Sequence, residues 1–207
     1  HAFLPLIRRM GPRVSATLQR AGFYPAGGGR ISVAIEPSSH LVRLDLQERG
    51  AILERSAKAV VARLPRSIAD RELAVVRETL KWPEACCEAV EEQSSPGPGN
   101  ILVLGIVSEQ VSEVFTGFGE KGVRAEWVAE AAVREAQRYL AAGVPVGPHL
   151  ADQLLVPMAL AGGGSFRTIA PTRHLLTNAE VIRRFLPVEI SVKQVTENCW
   201  DVRVNGG

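Results

Sequence analysis

A hydrophobic pattern typical of strands is followed by one typical of a helix in residues 101–141, ILVLGIVSEQVSEVFTGFGEKGVRAEWVAEAAVREAQRYLA. The continuous apolar run over residues 101–107 predicts a strand buried on both faces, and residues 111–115 predict its neighbour. Residues 123–141 lack glycine and proline and carry apolar side chains at the spacing of a long amphipathic helix. Strands followed by such a helix indicate a layer of helices on a sheet.

The same alternation of strand and helix signals extends to both sides of this stretch. The further predicted strands are residues 14–21, 31–36, 41–46, 51–55, 166–169, 189–195 and 200–204. The further predicted helices are a short one over residues 3–7, one from Ser67 to just before Pro83, one over residues 150–161, and one that begins with the capping-box pair Thr177 and Glu180. The sequence therefore predicts an α/β (α+β) fold.

Composition argues against a disulfide-rich protein and against a membrane-spanning one. Of 207 residues 46% are apolar and 22% are charged, which is typical of a globular protein, and the formal charge of +2 does not by itself indicate a nucleic-acid partner. The three cysteines form neither a disulfide framework nor a CxxC metal pattern, so we expect a reducing, cytoplasmic location. No apolar run approaches the roughly 20 residues of a membrane-spanning helix, and we expect no membrane association.

The chain changes in composition at two places. Turn-forming residues occupy positions 48–50, and the segment GVPVGP forms a stiff connector at residues 143–148. These breaks predict that residues 45–144 pack as a separate sheet-and-helix domain.

Two histidine-containing segments are candidates for chemistry. His149, Asp152 and Gln153 lie at the start of an otherwise apolar predicted helix, where an exposed helix start explains them as well as a binding site does. His174 lies beside Arg173 near another predicted helix start. A neutral imidazole is a capable nucleophile toward phosphorus, and a guanidinium or helix N–H groups bind phosphate oxygens, although a lone histidine is often structural.

A resemblance to a known family rests on these segments taken together and in order. The chain resembles RNA 3'-terminal phosphate cyclases over its whole length. The motifs that carry this resemblance are GFYPAGGG (22–29), PGN (98–100), GEK (119–121), HLADQL (149–154), ALAG (159–162) and HLLTN (174–178).

The resemblance implies a fold and a reaction. The fold has repeated core units, each a sheet backed by two helices, with a smaller α/β domain inserted in the last unit, which assigns residues 1–44 and 145–207 to the core and residues 45–144 to the insert. The implied enzyme is an ATP-dependent ligase that converts an RNA 3'-terminal phosphate to a 2',3'-cyclic phosphodiester. AMP is transferred first to a histidine and then to the RNA end.

The same resemblance assigns the site residues. His174 matches the nucleophile that accepts AMP, and His149, Asp152 and Gln153 match residues of the ATP pocket. A divalent metal, Mg²⁺ or Mn²⁺, is implied, with ligands that the sequence does not reveal. Family members continue upstream of the position of His1, so we expect a missing upstream portion to be a partner of this chain and to complete the active site.

Two other functions compete with the enzyme. Catalytically silent relatives of the cyclases assist ribosomal RNA processing and lack the nucleophilic histidine, so the presence of His174 favours the enzyme. A plain RNA-binding insert domain is disfavoured because residues 45–144 lack interleaved aromatic and arginine residues.

Overall fold

A computed structural model describes residues 1–206, and it confirms the predicted α/β architecture. The α-helices are α1 (Phe3–Arg9), α2 (Ser67–Leu80), α3 (Ala125–Ala142), α4 (Pro148–Leu160) and α5 (Arg173–Phe185). The strands are β1 (Arg13–Arg20), β2 (Arg30–Glu36), β3 (Leu44–Leu46), β4 (Ile52–Ala62), β5 (Cys87–Glu92), β6 (Gly99–Ser108), β7 (Ser112–Phe118), β8 (Gly163–Thr168), β9 (Val188–Thr196) and β10 (Cys199–Gly206). A short 3₁₀ helix, Glu84–Cys86, precedes β5.

One four-stranded sheet has the order β3-β8-β10-β9. The short strand β3 pairs parallel to β8, and the other neighbours are antiparallel. Helices α4 and α5 pack against this sheet, and α1 packs against α4. The buried apolar side chains of this layer include Leu6, Met10, Leu44, Leu46, Leu150, Leu154, Phe166, Leu175, Ile190 and Val202.

A second four-stranded sheet has the order β5-β4-β6-β7 and is covered by α2 and α3, which also pack against each other. Its core includes Ala59, Val61, Val76, Leu102, Leu104, Ile106, Phe115, Ala132 and Tyr139. The prediction that β6 is buried on both faces is wrong, because alternate residues of β6 are only half-buried. Within residues 1–206, helices cover one face of this sheet and leave the other without a helical layer.

Strands β1 and β2 form a separate antiparallel hairpin. One face of this hairpin is apolar, and Leu18, Ile31, Val33 and Ile35 on it are each more than half exposed. Residues 1–206 therefore leave this face largely uncovered.

The glycine-rich turn at the hairpin tip packs on the loop that precedes β6. A Cβ atom added to Gly99 would collide with the Phe23 ring, and one added to Gly28 would collide with Pro96. The glycines thus permit close contact between this turn and residues 96–99.

The division into core and insert stays a prediction. Helix α1 and Leu44 share a layer with β8, β9 and β10, as that division expects, but β3 continues through Asp45 and Leu46, which the division assigns to the insert. The hairpin, in contrast, forms no ladder with those strands within residues 1–206.

Helix starts differ from the sequence-based expectations. The capping-box prediction at Thr177 is wrong, since α5 begins at Arg173 and its N-cap is Thr172. Helix α4 begins at Pro148, two residues before the predicted start, because proline suits the first helical position. Within the described residues no helix is long and apolar enough to span a bilayer.

Candidate active site

His174 lies in the first turn of α5. The Oγ1 atom of Thr172 accepts a hydrogen bond from the Leu175 N–H at 3.1 Å, which fixes the helix start. The His174 side chain is exposed, and its ring makes no hydrogen bond within residues 1–206. The first N–H groups of α5 have no intrahelical acceptor and form the positive end of the helix, so an anion can be bound beside the imidazole.

The second group of predicted site residues lies in the first half of α4. His149 and Gln153 are exposed and are one helical turn apart, so they lie on the same side of the helix. Asp152, which lies between them in sequence, is half-buried.

A side-chain bridge joins these two helices. The Nδ2 atom of Asn178 donates hydrogen bonds to the backbone oxygen of Asp152 at 3.1 Å and to its Oδ1 atom at 2.9 Å. Asn178 follows His174 by one helical turn and lies on the same side of α5. Asp152 is therefore placed beside the face of α5 that carries His174.

Sequence reasoning did not assign a role to Asn178. The signal was present in the motif HLLTN, where an amide follows the histidine at a spacing of four residues. The motif does not reveal the hydrogen-bond partner of Asn178, because Asp152 lies 26 residues away in sequence.

A cleft of about 460 Å³ lies next to these helix starts. It is lined by parts of α3, the start of α4, the loop before α5 and the turn between β9 and β10, namely by Glu135, Arg138, Ala141, Ala142, Pro148, His149, Ile169, Ala170, Thr172, Glu197 and Asn198. His149 and the N-cap residue of α5 thus share one cleft. Among the described residues, His174, Asp152 and Gln153 do not line it, and that Asp152 and Gln153 face one cleft with His174 stays a prediction.

One ion pair connects α4 with the helical layer of the second sheet. The Nε2 atom of His149 lies 3.7 Å from the Oε2 atom of Glu135 on α3. The attraction requires a protonated imidazole, and both side chains are accessible to solvent, so this contact contributes little to stability.

The residues described here do not form a metal site by themselves. Within residues 1–206 no group of three or more histidine, cysteine, aspartate or glutamate side chains is arranged to hold a metal ion. No residue in the described part of the chain is therefore assigned as a metal ligand.

Comparison with known proteins identifies the family. A model of the RNA 3'-terminal phosphate cyclase family matches residues 1–192. Proteins named RNA 3'-terminal phosphate cyclase from Koribacter versatilis, Ectopseudomonas mendocina and Pseudomonas fluorescens are 47%, 46% and 48% identical to this chain. These matches cover 98%, 100% and 98% of the chain but 57%, 60% and 59% of the relatives' own lengths. The resemblance drawn from the six motifs is confirmed, and the chain belongs to the RNA 3'-terminal phosphate cyclase family.

Proposed function

We propose that the protein containing this chain uses ATP to convert an RNA 3'-terminal phosphate to a 2',3'-cyclic phosphodiester, with His174 as the nucleophile. The observation that carries this proposal is an exposed imidazole in the first turn of a capped helix. The resemblance matches this residue to the family's nucleophilic histidine. An open imidazole can approach a phosphorus atom, and the helix start can bind phosphate oxygens.

The proposed reaction has three displacements at phosphorus. An unprotonated ring nitrogen of His174 attacks the α-phosphorus of ATP, and pyrophosphate leaves. An oxygen of the RNA 3'-phosphate then attacks the AMP phosphorus, and the imidazole leaves. Finally the neighbouring 2'-hydroxyl attacks the activated 3'-phosphorus, the hydroxyl proton is lost to a base or to solvent, and AMP leaves.

The residues around His174 have distinct proposed roles. The N–H groups of the first turn of α5 and the exposed Arg173 guanidinium bind phosphate oxygens whose charge increases during the attack. His149 and Gln153 contact the nucleoside of ATP. Asp152 contributes through its bridge to Asn178, which fixes α4 against α5.

We also propose that residues outside this chain complete the site and cover the exposed face of the β1–β2 hairpin. The chain spans less than two thirds of the relatives' length, and the described residues contain no metal cluster.

We further propose a cytoplasmic location for this protein. The three cysteines are free thiols, which supports this proposal.

The test uses an RNA whose terminal 3'-phosphate is radioactive. Incubation with the intact protein and ATP should make the label resistant to phosphatase, because a cyclic diester has no terminal monoester. A matched RNA with a 2'-deoxy terminal nucleotide should acquire AMP but not cyclise. Label that remains sensitive to phosphatase after incubation with ATP would contradict the proposal.

A further inference from the structure

A buried carboxyl group from the second sheet contacts the start of α4. Glu113 lies on β7, is 3% exposed, and accepts a hydrogen bond at its Oε1 atom from the Gly147 N–H at 2.5 Å. Gly147 is the N-cap residue of α4, and His149 follows it by two positions. A Cβ atom added to Gly147 would lie 3.0 Å from the same carboxyl oxygen, so the two residues fit closely.

A second side chain holds the same connector. The Tyr139 hydroxyl of α3 donates to the backbone oxygen of Pro145 at 3.0 Å. The Arg49 guanidinium lies over the Tyr139 ring, 5.2 Å from its centroid. The segment that enters α4 is therefore fixed by two buried side chains from the other layer of the fold.

Burial dominates the electrostatics of Glu113. It raises the pKa of the Glu113 carboxyl to about 7, although the Gly147 and Val114 N–H groups partly offset this effect. The titratable group that faces it is Tyr139, whose pKa burial also raises, and the Arg49 guanidinium lies above the Tyr139 ring. Near neutral pH the carboxyl therefore changes charge next to the positive end of a helix.

We propose that Glu113 is a positioning residue for the ATP pocket, acting through Gly147 to fix the start of α4 and so the placement of His149, Asp152 and Gln153. The inference rests on the proposed function. Its effect extends to α5 through the bridge between Asp152 and Asn178. Glu72 is a natural control, because it is equally buried but contacts Asn100 inside the second layer and does not touch the connector.

The test compares Glu113→Gln and Glu113→Ala with Glu72→Gln in the intact protein. The readout is the rate of covalent labelling by ATP radioactive at the α-phosphate, measured against ATP concentration from pH 6 to pH 8.5. Glu113→Gln keeps an acceptor for the Gly147 N–H but resembles the protonated carboxyl at every pH. Its half-saturating ATP concentration should match that of the wild type at pH 6 and exceed it about threefold or more at pH 8.

Glu113→Ala removes the acceptor altogether. We expect it to raise the half-saturating ATP concentration about tenfold or more, because small displacements of binding groups have large kinetic effects. The glutamine variant should recover much of this loss, and Glu72→Gln should keep the wild-type ATP dependence. If the pH profiles of wild type and Glu113→Gln coincide, the proposal is overturned.

Amide hydrogen exchange tests the positioning role of Glu113 independently of the proposed function. At pH 8, where the wild-type carboxyl is ionised, both Glu113 variants should speed exchange over residues 147–151, and Glu72→Gln should not. A wild-type protein that is never labelled by ATP, together with faster exchange in the variants, would refute the proposed function and leave Glu113 as the residue that fixes α4. Unchanged exchange in the Glu113 variants would refute the positioning role itself.

Discussion

The buried carboxyl of Glu72 provides a quantitative test of how this structure responds to pH. Glu72 on α2 is fully buried, its Oε2 atom accepts a hydrogen bond from the Asn100 Nδ2 atom at 3.0 Å, and its Oε1 atom has no partner within residues 1–206. Burial raises the pKa of this carboxyl from 4.5 to about 7, against smaller lowering effects of Asn100 and of the Arg71 charge. The folded state therefore favours the protonated form.

This preference makes stability depend on pH. The unfolded chain loses the Glu72 proton near pH 4.5, whereas the folded protein keeps it to about pH 7, so the folded state binds more protons in between. Stability consequently falls as pH rises through this window. The loss approaches about 3 kcal/mol above pH 7, at about 1.4 kcal/mol per pH unit of difference between the two pKa values.

The substitution Glu72→Gln removes the charge and keeps the acceptor for Asn100. Its unpaired amide costs a similar free energy at every pH, so the informative quantity is the difference between variant and wild type at two pH values. We expect the unfolding free energy of Glu72→Gln, relative to the wild type, to increase by roughly 2 to 3 kcal/mol from pH 5 to pH 8. Glu113 titrates in both proteins, and its contribution cancels in this comparison.

Urea denaturation at pH 5 and pH 8 measures this change, provided that the dependence of the unfolding free energy on urea stays constant. The exposed residue Glu120 offers a matched control, and Glu120→Gln should shift stability by a similar small amount at both values. If the unfolding free energies of Glu72→Gln and the wild type depend on pH in the same way, burial does not disfavour the charged form of Glu72, and the reasoning is refuted.

Two further predictions concern the helix starts of the site. Thr172→Ala removes the cap of α5 and should cost about 1 kcal/mol in thermal unfolding, whereas Thr172→Ser should keep most of that stability; equal stability of the two variants would contradict the observed cap. Asn178→Ala removes both hydrogen bonds to Asp152 and should lower stability by about 1 to 2 kcal/mol and slow AMP labelling at low ATP, whereas Thr177→Ala on the exposed neighbour should do neither. Labelling kinetics identical to the wild type in Asn178→Ala would show that the bridge does not support the site.

Elements with a strong local pattern could be predicted from the sequence. Helix α3 was predicted over residues 123–141 and occupies Ala125–Ala142, because its apolar residues repeat at helical spacing and no glycine or proline interrupts them. The neighbouring strands β6 and β7 were also predicted. The apolar run of β6 did not reveal whether one or both faces of the sheet are covered, because a continuous apolar pattern does not show which layers pack on a strand.

The start of α5 shows where local signals compete. Thr177 with Glu180 has the form of a capping box, but Leu175 is 1% exposed and Ala179 and Ile182 follow it at helical spacing toward the core. With Leu175 inside the helix these three residues form one buried stripe, and Thr172 provides the cap. Tertiary packing decides between the two threonines.

The contacts around the candidate site residues could not be predicted from the sequence. The family motifs indicate His149, Asp152, Gln153 and His174 as a set, and they say nothing of the contacts that hold the two helices together. The hydrogen bond from Gly147 to Glu113 joins residues 34 positions apart, and the bridge from Asn178 to Asp152 spans 26. Such pairs have no local sequence signal because they depend on the packing of distant elements.

The central claim is that His174 accepts AMP, and covalent labelling of the intact protein by ATP radioactive at the α-phosphate tests it most directly. The wild type should acquire a label that is labile in acid and stable in alkali, as a phosphoramidate is. His174→Ala and His174→Asn should acquire none while keeping the fold, because an exposed side chain leaves no cavity when it is removed. His40→Ala, which changes another exposed histidine, should be labelled like the wild type. Labelling of His174→Ala at the wild-type rate would contradict the assignment of the nucleophile.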